Sequence, residues 1–172
     1  MKARFWSSLL IVIVIGVMVA APCVEAQRRR GQRLQLGKVC GDPTVRCPGI
    51  GTVFKEYDLP FHIPKKAVIW ESEDFYGIVL KSVRAKENCD VFVSEEDRLA
   101  AQALFPRNKV FTDRCPEPGT LYYSKTNSDY RFMAVFAGRT RAEAERLLAQ
   151  VRATGRYPGA NIRRMRTGFN GT

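Results

Sequence analysis

Apolar positions along the chain switch between two periods, and the switches mark a strand–helix–strand unit that occurs twice. In the first copy residues 76–83 (Tyr76, Gly77, Ile78, Val79, Leu80, Lys81, Ser82, Val83) are rich in β-branched residues and predict a strand. Ser94 then offers a capping hydroxyl. Glu95, Glu96 and Asp97 place negative charge in the first helical turn, where the helix dipole favours it. Leu99, Ala100, Ala103 and Leu104 are expected on the buried face of this helix, and Pro106 forbids its continuation. Residues 109–114 return as a strand. In the second copy residues 130–136 form an aromatic and apolar strand, Gly138 turns the chain, and Thr140 with Glu143 has the spacing of a capping box. Ala144, Leu147, Leu148 and Val151 recur at the i, i+3, i+4, i+7 interval of a helix lying on a sheet. Arg152 falls in its last turn, Gly155 ends it, and residues 161–166 close with a strand. A further run, 121–125, is separated from 130–136 by Asn127, Ser128 and Asp129, which predicts a hairpin.

This order implies an α+β, ferredoxin-like βαββαβ fold: an antiparallel sheet with both helices on one face and the opposite face open for binding. An N-terminal extended, disulfide-bearing segment precedes it. Residues 40–51 form a Gly/Pro-rich cystine loop. Between 52 and 70 short apolar runs are broken by Pro60 and Pro64, so edge strands or extended packing are expected there. Whether 52–70 lies over the open sheet face decides whether that face is usable. The expected organisation is 1–26 signal peptide, 27–39 basic flexible arm, 40–73 cystine loop and extended segment, 74–168 the βαββαβ domain, and 169–172 a tail.

The signal reading rests on the first 26 residues. Lys2 and Arg4 precede an uncharged apolar run from 9 to 21, and Val24, Glu25 and Ala26 put small residues where a signal peptidase cuts. A retained anchor is the rival, yet even counted from Phe5 the run is only just long enough for the roughly 20 residues a bilayer needs. Cleavage after Ala26 removes Cys23 and leaves Cys40, Cys47, Cys89 and Cys115. An even number in an exported chain points to two disulfides with three possible pairings. Cys40–Cys47, closing a short loop, and Cys89–Cys115, spanning one strand–helix–strand unit, are favoured. Metal is not expected, because no cysteine pair has the close spacing of a structural zinc site and His62 is the single histidine. No cofactor is implied. After cleavage no transmembrane segment is expected.

The formal charge is +11, of which +10 stays once Lys2, Arg4 and Glu25 are gone. Such a balance suits a polyanionic partner, and export makes nucleic acid the least fitting one. Enzyme chemistry finds little support. His62 sits in a proline-flanked apolar stretch and reads as structural. Glu71, Glu73 and Asp74 form a carboxylate cluster that a solvated turn explains, and Glu95, Glu96 and Asp97 have a capping use. Tyr122 and Tyr123 are adjacent on a strand, so one is expected on the open face. There it would stack on a sugar ring, with Lys81, Lys125 and Arg131 meeting carboxyl or acetamido groups.

The stretch 130–165, YRFMAVFAGRTRAEAERLLAQVRATGRYPGANIRRM, resembles the second half of a SPOR (sporulation-related repeat) domain, and 76–83 resembles its first strand. The resemblance covers 74–168. It implies a ferredoxin-like domain of a bacterial envelope protein, periplasmic or at the cell surface, that binds peptidoglycan or a similar anionic glycan through the open sheet face. On that pattern Ile78, Leu80, Phe132 and Ala134 face the helices. Val79, Lys81, Arg131, Met133 and Val135 point outward, and Val79, Lys81, Tyr122, Tyr123, Arg131 and Met133 make up the expected glycan site. Val79 stands where the family often has glutamine. A non-catalytic structural or protein-interaction subunit of an envelope assembly, docking an envelope protein partner, is the alternative.

Overall fold

A computed structural model describes residues 39, 54–64 and 66–172. The expected signal, residues 27–38 of the basic arm and the Cys40–Cys47 loop lie outside the described residues. Among the described residues no helix is long and apolar enough to cross a membrane.

Eight elements follow in chain order: β1 (Ile69–Glu71), β2 (Phe75–Arg84), α1 (Glu95–Leu104), β3 (Val110–Thr112), β4 (Thr120–Ser124), β5 (Tyr130–Gly138), α2 (Arg141–Ala153) and β6 (Asn161–Asn170). Both helices start as their sequences dictate. The Ser94 hydroxyl accepts from the Asp97 amide at 3.1 Å, and Thr140 with Glu143 closes a full capping box. The four strands of the repeated unit lie in the order β6-β2-β5-β3, every pair antiparallel. This antiparallel α+β arrangement is compatible with a ferredoxin-like fold.

Both helices cover one face of the sheet. Ala101 of α1 and Ala144, Leu147 and Val151 of α2 share a cluster with Ile78, Leu80, Val110, Met133 and Val135. The expected face of α2 is therefore the observed one. That of α1 is not: Leu99 is 55% exposed and Leu104 41%, whereas Arg98 and Ala101 are buried. The reason is polar. Arg98 Nη1 donates to the Val110 carbonyl at 3.3 Å, and the Gln102 amide bonds Val110 N–H and the Phe105 and Asn108 carbonyls, so this face of α1 satisfies the backbone leading into β3.

The opposite face is not open. It carries a second cluster of Phe75, Phe111, Phe132, Ala134, Phe136 and Met165, closed from outside by Leu121 and Tyr123 of β4 and by Val39, Leu59 and Phe61 of the leading segment. β6 makes this closure possible. Its first half pairs with β2 and its second half runs on past that strand, with β1 on one edge and β4 on the other. The expected hairpin between 121–125 and 130–136 is thus corrected: β4 pairs with β6. Both edges of β5 are taken by β2 and β3, so the protruding half of β6 offers β4 its hydrogen bonds. The leading segment is tied down by the Leu59 amide donating to the Tyr123 hydroxyl at 3.0 Å and the Thr112 amide donating to the Tyr57 carbonyl at 2.9 Å.

Cys89 and Cys115 are disulfide-bonded, joining the turn after β2 to the segment after β3 across 26 residues. Closing a loop of that length is worth ~3–4 kcal/mol on a chain-entropy estimate.

Phe111 stacks on Tyr123 at 4.9 Å and meets Phe75 and Phe132 edge-on, at the centre of the aromatic layer. Phe111→Ala is expected to destabilise the fold by about 3–5 kcal/mol in urea denaturation. Leu99→Ala is expected to change stability by no more than about 0.5 kcal/mol, as for an exposed site. A large loss at Leu99 would contradict the observed facing of α1.

Candidate functional site

The six residues expected on a glycan-binding face are dispersed. Tyr123 is buried in the aromatic layer, and Val79 packs half-buried against the same layer. Met133 is buried on the helix side, not outward, because it belongs to the cluster beneath α1 and α2. Lys81 also turns to the helix side: a bulge at Leu80 shifts its pairing from Phe132 to Met133, and its ammonium reaches Asp97 at 2.8 Å. Arg131 is buried beside Asp113 at 3.8 Å. Tyr122 lies on β4 directly over Gly168, where a β-carbon would collide with the ring. Burial pushes the Tyr122 hydroxyl up, helped by the Glu71 carboxylate. The outward placement of Lys81, Arg131 and Met133 is therefore corrected, and Phe132 and Ala134 face away from the helices.

The carboxylates before β2 are tied to cations. Asp74 accepts from Lys125, Arg164 and Arg166 at 2.6–2.7 Å. The Arg166 guanidinium first, with Lys125, holds it down at about 2. Glu71 pairs with Arg166 and Glu73 with Arg139. A carboxylate so held is a poor proton donor at neutral pH. His62 is exposed, and among the described residues no group of three His, Cys, Asp or Glu side chains stands where it would hold a metal ion.

A cleft of about 310 Å³ opens where the last residues of β5 pass beneath the first turns of α2. Ala137 and Leu147, both of the helix-side cluster, supply the apolar part of the lining, and Arg107, Arg146 and Gln150 supply polar walls. Asn108 is pinned by its amide donating to the Phe136 carbonyl at 2.9 Å. Gly138, at φ 105°, makes the turn into α2, and Glu143 fills the space a β-carbon would occupy. Glu143 accepts from the amides of Arg139 and Thr140 and from the Thr140 hydroxyl, which keep its carboxyl below the usual range. Neither Arg107 nor Arg146 has a carboxylate within 4.0 Å among the described residues. Two guanidiniums without an ion pair among the described residues can grip a carboxylate-bearing ring, beside the Glu143 carboxylate on the same lining. Sequence reasoning missed this cleft, since Arg107 and Arg146 are 39 positions apart and only the tertiary fold joins them.

A second hollow, of about 240 Å³, lies beside the disulfide. Arg114 fills its wall, 3.6 Å from the Phe92 ring centre and 4.5 Å from that of Tyr57.

Comparison with family models, with curated proteins and with solved structures returns no match for this chain.

Two buried carboxyls at the closure give the fold a pH dependence. Burial raises Asp58 to about 6, against the pull of the Lys55 amide and of nearby cations. It raises Asp113 to about 7, outweighing Arg131. Both sit near 3.8 when unfolded, so the folded chain holds more protons between about pH 4 and 7. Stability is greatest at the acid end of that window and falls as pH rises through it. Asp74, shifted down, acts only below about pH 4. Asp58→Asn is expected to stabilise the fold at pH 8 relative to pH 4 by about 1–3 kcal/mol, read from urea midpoints. An equal effect at both pH values would contradict the burial of this carboxyl.

Proposed function

We propose that the protein is an exported, non-catalytic binding protein of the bacterial envelope, and that it takes an anionic glycan, peptidoglycan or a chemically similar polymer, in the cleft beneath α2. The observation that carries this reading is the pair Arg107 and Arg146, lining one cleft with no carboxylate within 4.0 Å of either among the described residues. The formal charge of +11 adds a long-range pull on any polyanion. A SPOR-like, ferredoxin-like identity draws support from the strand order β6-β2-β5-β3 with two helices on one face. Such a domain would have to bind differently here, because its sheet face is interior. The Cys89–Cys115 bond is in keeping with an oxidising compartment such as the periplasm or cell surface.

The protein-docking alternative has one observation in its favour. Val68 and Ile69, at the short outer strand β1, are 55% and 61% exposed. An apolar edge of this kind suits a partner that adds a strand. The two readings separate by where substitution acts.

The full chain is expected to sediment with purified, amidase-treated sacculi at low salt and to be released as salt rises. Arg107→Ala with Arg146→Ala should weaken that binding by about tenfold or more, the loss of charge-assisted hydrogen bonds, while Ile69→Ser leaves it unchanged. Absence of co-sedimentation at low salt, or undiminished binding by the double variant, would rule out this site.

A further inference from the structure

The geometry around Cys89–Cys115 points to a thiol–disulfide exchange site of fixed polarity: an external thiolate attacks the Cys89 sulfur, and the Cys115 sulfur leaves as a thiolate held by Arg131. This stands apart from the glycan cleft and does not depend on it. The two ends of the bond occupy different surroundings. Cys89 is exposed, in a turn whose neighbours Asn88 and Asp90 are exposed as well. Cys115 is half-buried, and Arg131 Nη2 points at its Sγ from 3.5 Å.

The arginine is fixed in place. Its side chain is buried, and its Nη1 donates to the Ser128 carbonyl at 3.1 Å and lies 3.8 Å from the Asp113 carboxyl. Its Nε is buried with no protein partner among the described residues. Burial keeps Asp113 partly protonated near neutrality, which leaves the guanidinium charge incompletely offset. A fixed positive charge in a dry site favours thiolate over thiol, and a sulfur whose thiolate is stabilised is the better leaving group. Access selects the other sulfur for attack. Both effects therefore act in the same direction.

In the first step the incoming thiolate forms a bond to Cys89 Sγ as the Cys89–Cys115 bond breaks, and its electron pair passes to Cys115 Sγ. In the second, another thiolate of the reductant attacks its own sulfur in the mixed disulfide and releases Cys89. Two thiols of the reductant are oxidised to a disulfide, and the cystine, taking two electrons and two protons, becomes two thiols. The partner class is a small thiol or a dithiol oxidoreductase of the exported compartment. Opening the bond unlatches the turn that carries Phe92 from Arg114 and Tyr57, at the edge of the segment covering the aromatic layer.

The oxidised full chain, treated with reduced glutathione, quenched early in acid and mapped by peptide mass spectrometry, provides the test. Glutathione is expected on Cys89 at least tenfold more than on Cys115. Equal labelling, or a majority on Cys115, would overturn the assignment. Arg131→Met should slow reduction at least tenfold and Arg131→Lys should recover most of the rate; an unchanged rate in folded Arg131→Met would overturn the role of the arginine. Circular dichroism establishes whether the Met variant folds. If it does not, the labelling ratio in the parent chain decides the question.

Discussion

Phe111 sits where the structure has to solve its main problem, a sheet with two apolar faces. The helices bury one of them. The other presents Phe75, Phe111, Phe132, Phe136 and Met165, and a layer of that size left in water would forfeit about 1.5–3 kcal/mol for each large side chain. The solution is to lengthen β6 beyond its partner β2 and hang β4 on the overhang, so that Leu121 and Tyr123 come down on the aromatics. Residues 54–61 then complete the cover. Tyr123 binds the two parts of the lid together, stacking on Phe111 with its ring and accepting the Leu59 amide with its hydroxyl.

The cover settles what the surface can offer. Charges that a two-layer domain would spread over an exposed sheet are moved to rims: Lys81 to the N-terminus of α1, Arg164 and Arg166 to Asp74, Arg139 to Glu73. Arg107 and Arg146, two of the arginines without a carboxylate within 4.0 Å among the described residues, lie where α2 meets the end of β5, and the proposed glycan site rests on their meeting in one cleft. The disulfide anchors the connection between β3 and β4, where the chain leaves the edge of β5 for that of β6.

How much of this was legible in the sequence depended on whether the information was local. α2 was, since Thr140, Glu143, Ala144, Leu147 and Val151 lie within a dozen residues and need no distant partner. Cys89–Cys115 was favoured from its span and is the pair observed. The buried face of α1 was not legible, because its inward Arg98 and Gln102 are satisfied by backbone of β3 and look like solvent-facing residues when read alone. Along β5 the alternation had the right period and the wrong phase. The phase is set by pairing: Ile78 stands opposite Val135, and residues opposite one another share a face, so placing Ile78 under the helices puts Val135 and Met133 there too. Sequence proximity favours pairing β4 with β5, yet both edges of β5 are filled by β2 and β3. The candidate cleft could not be read at all, since it exists only through packing.

The leading segment seals the aromatic layer as an integral part of the fold. Amide hydrogen exchange at Leu59 measures this most directly, because that N–H is buried and bonded only across 64 residues to the Tyr123 hydroxyl. If the cover is integral, Leu59 exchanges with an opening free energy close to that of the core amides of β5. Exchange at the rate of an exposed loop, with β5 still protected, would mean that the lid lifts freely and the aromatic face is a surface after all.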